Sequence, residues 1–245
     1  MDWTDRFYAR QAEWAGLYQG EPEAHHHDRV ERLIGLAGPP PQSVLELGAG
    51  GGQHAALTAD AGYTITAVEI QPRAAENART LAVNRPGLSV VEGDFYTLSL
   101  PSRYDIVCCW DGFGIGPDAD QRRLLERMRG WLAPGGLVLV DVYTPWYAAA
   151  SAGRGWAVGD AHRTYGFDAG GCRWLDTWQR GDETVTQSLR CYSPADLRLL
   201  LEGTGFSLEH FVPGGGMDWA AGRWVTQQPL QAAMSFTAVL VSSRG

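Results

Sequence analysis

From residue 43 onward, short apolar or β-branched runs alternate with stretches whose apolar residues recur every three to four positions. "SVLEL" (43–47), "TITAVEI" (64–70), "LSVVEG" (88–93), "YDIVCCW" (104–110) and "GLVLVDV" (136–142) read as strands. The segments at about 51–61, 72–84 and 119–132 read as the helices between them. "GLVLVDV" is a continuous apolar run, the pattern of a strand buried on both faces. Strands and helices that trade places in this way predict a parallel sheet covered by helices on both sides, a three-layer α/β sandwich. "SPADLRLLLEGTGF" (193–206) adds a helix with Ser193 as N-cap and Pro194 at its first position, and "SLEHFV" (207–212) with "SFTAVLVS" (235–242) supply two final strands.

Two regions depart from the alternation. Before the first strand, Asp2–Tyr18 and Pro22–Leu36 read as helical segments, stopped by "GPPP" at 38–41, so residues 1–38 form an appendage to a domain spanning 39–245. Between Tyr143 and Ser193, "CRWLDTWQR" (172–180) and "ETVTQSLRCY" (183–192) predict an antiparallel hairpin inside an insertion at about 144–192. Aromatic residues concentrate in these two regions: Tyr8, Trp14 and Tyr18 in the first, Trp146, Tyr147, Trp156, Trp174 and Trp178 in the second. The insertion leaves the carboxyl edge of the sheet, so both regions are expected to form a lid enclosing a flat or apolar small molecule.

Composition narrows the function classes. At 245 residues with 44% hydrophobic content, the chain can bury the core of one large domain. A net charge of −8 and the lack of any basic run argue against a nucleic-acid partner. Cys108 and Cys109 are adjacent while Cys172 and Cys191 stand alone, so neither a zinc spacing nor a disulfide framework emerges, and a reducing cytoplasm is expected. The N-terminus lacks the apolar core of a secretory signal, and no run approaches the roughly 20 apolar residues of a membrane span. In "HHHD" (25–28), His25 pairs with Asp28 and His27 with Glu31 on shared helix faces, a geometry able to hold a metal. With no further Cys or His at a matching spacing, the segment reads as an exposed helical start, and no metal is expected.

The chemistry concentrates in "SVLELGAGGGQHA". Gly48, Gly50, Gly51 and Gly52 sit where a buried strand turns into a helix, where backbone must approach a ligand and adopt φ values that a Cβ disfavours. A dinucleotide fingerprint requires a third glycine where this chain has Gln53, which weakens a nicotinamide reading. Glu46, just before the turn, would repel a pyrophosphate but suits a ligand carrying positive charge. Glu69 closes the next strand 21 residues beyond Gly48, the spacing at which an acid accepts hydrogen bonds from ribose hydroxyls. Asp94 closes the third strand and Trp110-Asp111 the fourth, which brings the acids to one edge of the sheet. A cationic nucleoside fits this set.

The ordered motifs "LELGAGGG", "VEI", "GDF", "YDIVCCWDGFG" and "LAPGGLVLVD" resemble those of the class I S-adenosylmethionine-dependent methyltransferases, closely over residues 40–142 and loosely over 193–242. The resemblance implies a Rossmann-like fold with a mostly parallel seven-stranded sheet whose last strand is antiparallel, and S-adenosylmethionine as cofactor. It implies further that the Gly48-Ala49-Gly50 backbone lies under the methionine and ribose, and that Glu46 faces the amino-acid end. Glu69 would bind the ribose hydroxyls and Asp94 the adenine amino group, with Ile70 and Phe95 packing on the ring. Trp110 or Asp111 would border the sulfonium, and Tyr8 and Tyr18 would lie near the methionine end. Methyl transfer is an in-line displacement governed by positioning, with a base needed only for a protonated acceptor; His162, in the insertion, is the candidate base. The expected activity is methylation of an oxygen or nitrogen of a small-molecule metabolite. Its rivals are same-fold non-methylating chemistry such as a cyclase or decarboxylase, a nicotinamide oxidoreductase, and a cofactor-binding scaffold without catalysis. The acceptor and the oligomeric state stay open.

Overall fold

The computed structural model describes residues 2–101 and 103–243. After α1 (Asp2–Ala15) and α2 (His27–Ala37), the chain runs β1 (Ser43–Leu47), α3 (Gln53–Asp60), β2 (Thr64–Glu69), α4 (Pro72–Ala82) and β3 (Leu88–Glu92). It continues through β4 (Tyr104–Cys109), α5 (Asp118–Trp131) and β5 (Leu132–Tyr143). Next come α6 (Pro145–Ser151) and four strands, β6 (Gly155–Val158), β7 (Ala161–Asp168), β8 (Arg173–Arg180) and β9 (Glu183–Arg190). Helix α7 (Pro194–Leu201), β10 (Phe206–Pro213), a small hairpin of β11 (Gly216–Asp218) and β12 (Arg223–Val225), and β13 (Ser235–Ser242) complete the chain.

Seven strands form the main sheet in the order β10-β13-β5-β4-β1-β2-β3, and β13 alone runs antiparallel to its neighbours β5 and β10. The fold is therefore the Rossmann-like α/β sandwich that the alternation predicts. Strand parity divides its core. Leu45 and Leu47 of β1 pack with α5 and α7 residues such as Leu124, Leu125 and Leu197, while Val44 packs with Leu33 of α2 and Ala55 and Ala56 of α3. Glu46 shares the parity of Val44 and so points to the α2–α3 side. From β1 the chain builds outward through β2 and β3, then returns to build β4 and β5 on the other flank. The order reverses between β1 and β4, the switch point where open α/β sheets bind ligands at their carboxyl edge. Gly52 adopts φ +81°, and a Cβ there would lie 2.6 Å from Ala78 Cβ, so glycine lets the start of α3 press against α4.

The insertion is a four-stranded antiparallel sheet, β6-β7-β8-β9, rather than a single hairpin. Strands β6 and β7 escape the pattern reading because their inward positions are not uniformly apolar: in β7, Ala161, Tyr165 and Phe167 alternate inward with Arg163. The first helix also ends earlier than expected, at Ala15, because Gly16 (φ +64°) and Tyr18 (φ +63°) reverse the chain. Helix α1 packs on the insertion sheet, where Phe7 and Trp14 bury against Ala161, Trp178 and Val185. Arg10 Nε donates to Glu183 at 2.9 Å and Gln187 Nε2 to the Tyr8 hydroxyl at 2.7 Å.

Phe7 is fully buried at this contact, and replacing it by alanine is expected to cost about 3–5 kcal/mol of local packing. Hydrogen exchange should show α1 losing protection in Phe7→Ala while β1 and β4 keep theirs; uniform loss across the chain would contradict a locally docked helix.

Candidate functional site

The glycine turn is held by β2. Gly48 N and Ala49 N both donate to Val68 O, at 2.9 and 3.0 Å, with Gly48 at φ +69°. Gly50, at φ +55°, donates its N–H to Glu69 Oε2 at 2.7 Å, and Gln71 N donates to Glu69 Oε1 at 2.8 Å. Burial raises the Glu69 carboxyl above its usual range, and these backbone bonds pull it partly back. The link between α1 and α2 crosses directly over this turn. A Cβ on Gly50 would lie 2.8 Å from the Tyr18 ring, and one on Gly51 would lie 2.5 Å from Tyr18 O. Gln53 Nε2 donates to Gln19 O at 3.1 Å, and Asn77 Nδ2 donates to Gly51 O at 2.7 Å, which stitch the crossing in place.

Beside the turn lies a cluster of acids around one arginine. Arg29 of α2 donates to Asp111 Oδ2 at 2.8 Å, and the Tyr143 hydroxyl donates to Asp111 Oδ1 at 2.8 Å. The Asp111 side chain is 57% exposed, so this clamp sits on the floor of an open cleft. Burial by the surrounding walls pushes its pKa up, but Arg29 and Tyr143 outweigh that and hold it below the usual carboxylate range. Glu46 is 2% exposed and accepts no hydrogen bond from any described residue; burial pushes its carboxyl up to about 8 despite the Arg29 charge. Asp141 is raised by burial too, and accepts from Thr237 Oγ1 at 2.5 Å. His54 is lowered to about 3 by burial and by Arg29. Its contacts fix a neutral tautomer: Nδ1–H donates to His26 O at 3.1 Å, and Nε2 accepts from Arg29 at 2.9 Å.

The inner face of the insertion sheet lies over this floor. Tyr143, Tyr165, Trp174, Asp176 and Gln187 border a cavity of about 70 Å³. A larger depression of about 350 Å³ lies by Gly205 and Phe206 at the start of β10, away from the carboxyl edge that bears the glycine turn. Size alone does not make it the site, because the converging acids lie elsewhere.

The structure brings most of the expected residues together. Glu46, the Gly48-Ala49-Gly50 backbone, Glu69, Asp111 and Tyr18 line one cleft, and the Tyr8 hydroxyl meets Gln187 at its roof. Asp94 Oδ1 accepts from Tyr96 N at 2.8 Å, Ile70 is 39% exposed, and the Phe95 ring lies 4.0 Å from where a Gly48 Cβ would be. The Ala49 side chain, in contrast, packs into the core, so only its backbone serves the turn. Trp110 is 4% exposed in that same core, which leaves Asp111 alone of the pair facing the cleft.

His162 is a correction. In β7 it pairs with Gln179, on the parity opposite to Arg163 and Tyr165, and it is exposed on the outer face of the insertion sheet. It therefore cannot reach the cleft as a base. The residues missed by sequence reading are Arg29, Tyr143, Asp141 and the Arg163–Asp176 pair. Tyr143 ends β5 at the same edge as the acids, a signal that was available; Arg29 is an ordinary helical cation until α2 docks. Among the described residues, no group of three or more His, Cys, Asp and Glu is placed to hold a metal ion.

The cleft fits the expected cofactor on its own geometry: Glu46 is a buried carboxyl without a hydrogen-bond partner among the described residues, and beside Gly48 nothing lies nearer to a Cβ position than the Phe95 ring at 4.0 Å. Residues 44–136 match the family described as "Methyltransferase domain". No curated protein matches the sequence. Among solved structures, the chain is similar to the CcbJ methyltransferase from Streptomyces caelestis, at 20% identity over 96% of each chain with a TM-score of 0.73. It is similar to KedS8, a sugar N-methyltransferase from Streptoalloteichus sp. ATCC 53650, at 20% identity over 88% of this chain and 87% of that one, TM-score 0.58. A third is SAM-bound CalS10, an amino pentose methyltransferase from Micromonospora echinaspora involved in calicheamicin biosynthesis, at 20% identity over 98% and 96%, TM-score 0.58. At this identity the likeness speaks for the fold, and the domain match speaks for the chemistry. With the glycine turn and its acids in place, the chain has the Rossmann-like fold of these methyltransferases, and its residues 44–136 match a methyltransferase domain.

Proposed function

We propose that this protein is an S-adenosylmethionine-dependent methyltransferase that methylates the nitrogen of a small-molecule amine. One observation carries the reading: Glu46, Glu69, Asp111, Asp141 and Asp176 gather in one cleft, and the two arginines there are committed, Arg29 to Asp111 and Arg163 to Asp176. Glu46, Glu69 and Asp141 have no cation in hydrogen-bonding contact among the described residues. Carboxyl groups outnumber cations there, and Asp111 is held ionised, which favours a cationic methyl donor and an amine over a phenol or a carboxylate. The amine substrates named for KedS8 and CalS10 support the same direction, and an alcohol acceptor is the second reading. The insertion sheet and α1 act as the lid, which restricts the acceptor to a small molecule.

The cofactor when bound supplies an electrophilic methyl group on a sulfonium. Glu69 accepts backbone bonds from Gly50, Gln71 and Ile70 and keeps a lone pair for the ribose hydroxyls. Asp94 keeps one oxygen for the adenine amino group, with Ile70 and Phe95 beside the ring. Glu46 faces the ammonium end, Gly48, Ala49 and Gly50 present bare backbone beneath the ribose, Tyr18 covers Gly50, Tyr8 closes the methionine end, and Asp111 borders the sulfonium. His54 is locked neutral and His162 lies outside, so neither imidazole serves as base. The amine enters as its free base, and the rate comes from holding its lone pair in line. The four cysteines are free thiols, in keeping with a reducing compartment, and we place the enzyme in the cytoplasm.

Methyl-labelled cofactor and a panel of small amines and alcohols test this directly: label is expected in an N-methyl product. Label confined to alcohols would select the second reading, and turnover without label transfer would select a cyclase or decarboxylase. Tighter binding of NAD than of S-adenosylhomocysteine would overturn the cofactor assignment.

In single-turnover assays His162→Ala should leave the methyl-transfer step within about twofold of the native rate. Tyr143→Phe should slow it roughly 10- to 100-fold, the loss expected for one hydrogen bond to a charged group. The reverse ranking would restore His162 to the mechanism.

Burial raises the Glu46 pKa from 4.5 when unfolded to about 8 when folded, so between these values the folded state binds more protons. Its contribution to stability is fully present below pH 4.5 and is lost as pH rises through 8. The cofactor-free protein is therefore expected to melt at lower temperature at pH 8 than at pH 5.5, and Glu46→Gln should flatten that slope. A slope unchanged by the substitution would contradict the assignment.

A further inference from the structure

The cofactor reading leaves the inner face of the insertion sheet unexplained. Across its register run the rows Tyr165–Asp176–Gln187 and Arg163–Trp178–Val185, so polar side chains hold positions that a core would fill with apolar ones. Arg163 grips Asp176 twice, Nε to Oδ1 at 2.9 Å and Nη2 to Oδ2 at 2.6 Å. Its guanidinium lies 5.4, 4.9 and 5.1 Å from the ring centroids of Trp156, Tyr165 and Trp178. A buried ion pair is a weak device for stability, because well-packed apolar residues usually serve as well. Its presence here calls for another reason.

Two observations supply it. Two buried indole N–H groups find no acceptor among the described residues, those of Trp174 and Trp178; Trp178 packs with Phe7 and Trp14 away from the cavity, whereas Trp174, 5% exposed, borders it. An unmet buried donor is costly, and native proteins seldom keep one without cause. Asp176 complements it, since each of its oxygens takes one bond from Arg163 and retains a further lone pair. The cavity between them, about 70 Å³, compares with roughly 10–15 Å³ for one water, so roughly five to seven water-sized groups fit. That is the bulk of one five- or six-membered ring.

We propose that this cavity is the acceptor subsite, and that it selects a saturated ring carrying its amine beside hydroxyl groups. A hydroxyl beside the amine accepts the Trp174 N–H at its oxygen and donates its O–H to Asp176. Tyr165 and Trp174 cover the C–H faces of the ring, and Arg163 is a positioning residue that keeps the carboxylate ionised and oriented. Tyr143 borders this cavity and also donates to Asp111, so a ring seated here directs its amine toward the floor of the cofactor cleft. The inference rests on the amine reading above and adds the chemistry of the atoms around the nitrogen.

The full chain saturated with S-adenosylhomocysteine is titrated with trans-2-aminocyclohexanol and, separately, cyclohexylamine, followed by calorimetry and by the tryptophan indole N–H signals in ¹⁵N-correlated NMR. The aminoalcohol is expected to bind about tenfold tighter and to move the Trp174 signal, identified by its disappearance in W174F. W174F and D176N should each bring the two probes to equal affinity while leaving the affinity for S-adenosylhomocysteine unchanged. Equal affinities in the native protein, a Trp174 signal that stays put, or no binding of either probe would overturn the subsite. Failure to bind S-adenosylhomocysteine, measured first in the same sample, would instead overturn the cofactor reading. Methylation of both amines at equal efficiency would leave the amine reading standing and remove the subsite.

Discussion

The ion pair between Arg29 and Asp111 is the constraint on which the site turns. It joins α2, outside the sheet, to the end of β4 at the switch point, and it is the cation nearest to a group of acids that would otherwise repel one another. Glu46 and Asp141 both feel its charge as their main stabilising influence against burial. The same guanidinium donates to His54 and so fixes that imidazole as neutral. The N-terminal helices are therefore part of the floor of the cleft and not only its cover.

A second constraint comes from above. The insertion sheet is tied to α1 by Phe7 and Trp14 and to the floor by Tyr143, so the lid and the sheet share one set of contacts. The Tyr18 crossing over Gly50 shows how closely the cover follows the cofactor turn. The bare backbone there lets the α1–α2 link approach closer than a side chain at Gly50 or Gly51 would allow.

Much of this was legible in the sequence because it is local. The alternation of strands and helices reflects side-chain periodicity, which the chain carries residue by residue. The glycine turn, Glu69 and Asp94 follow from strand ends, which periodicity locates to within a residue or two. The acids therefore converge wherever a parallel sheet forms, and the class of fold and cofactor came with them. Tyr143 stood at the same kind of strand end and could have been added on that logic.

What tertiary structure alone decided is which side of each element meets the cleft. His162 and Arg163 are neighbours in the chain, but the pleat sends one outward and the other over the site. Trp110 and Asp111 likewise part ways, one to the core and one to the cleft. Strands β6 and β7 were hidden because β7 turns a charged residue inward, which erases the apolar alternation that reveals a strand. Arg29 gains its role only when α2 docks beside β4, 82 positions from Asp111 in sequence. The sequence by itself determined the alternating elements of the main sheet and the acids at their ends, since both depend on short-range pattern; the pairing of distant charges and the facing of the insertion sheet depend on docking, which no local pattern encodes.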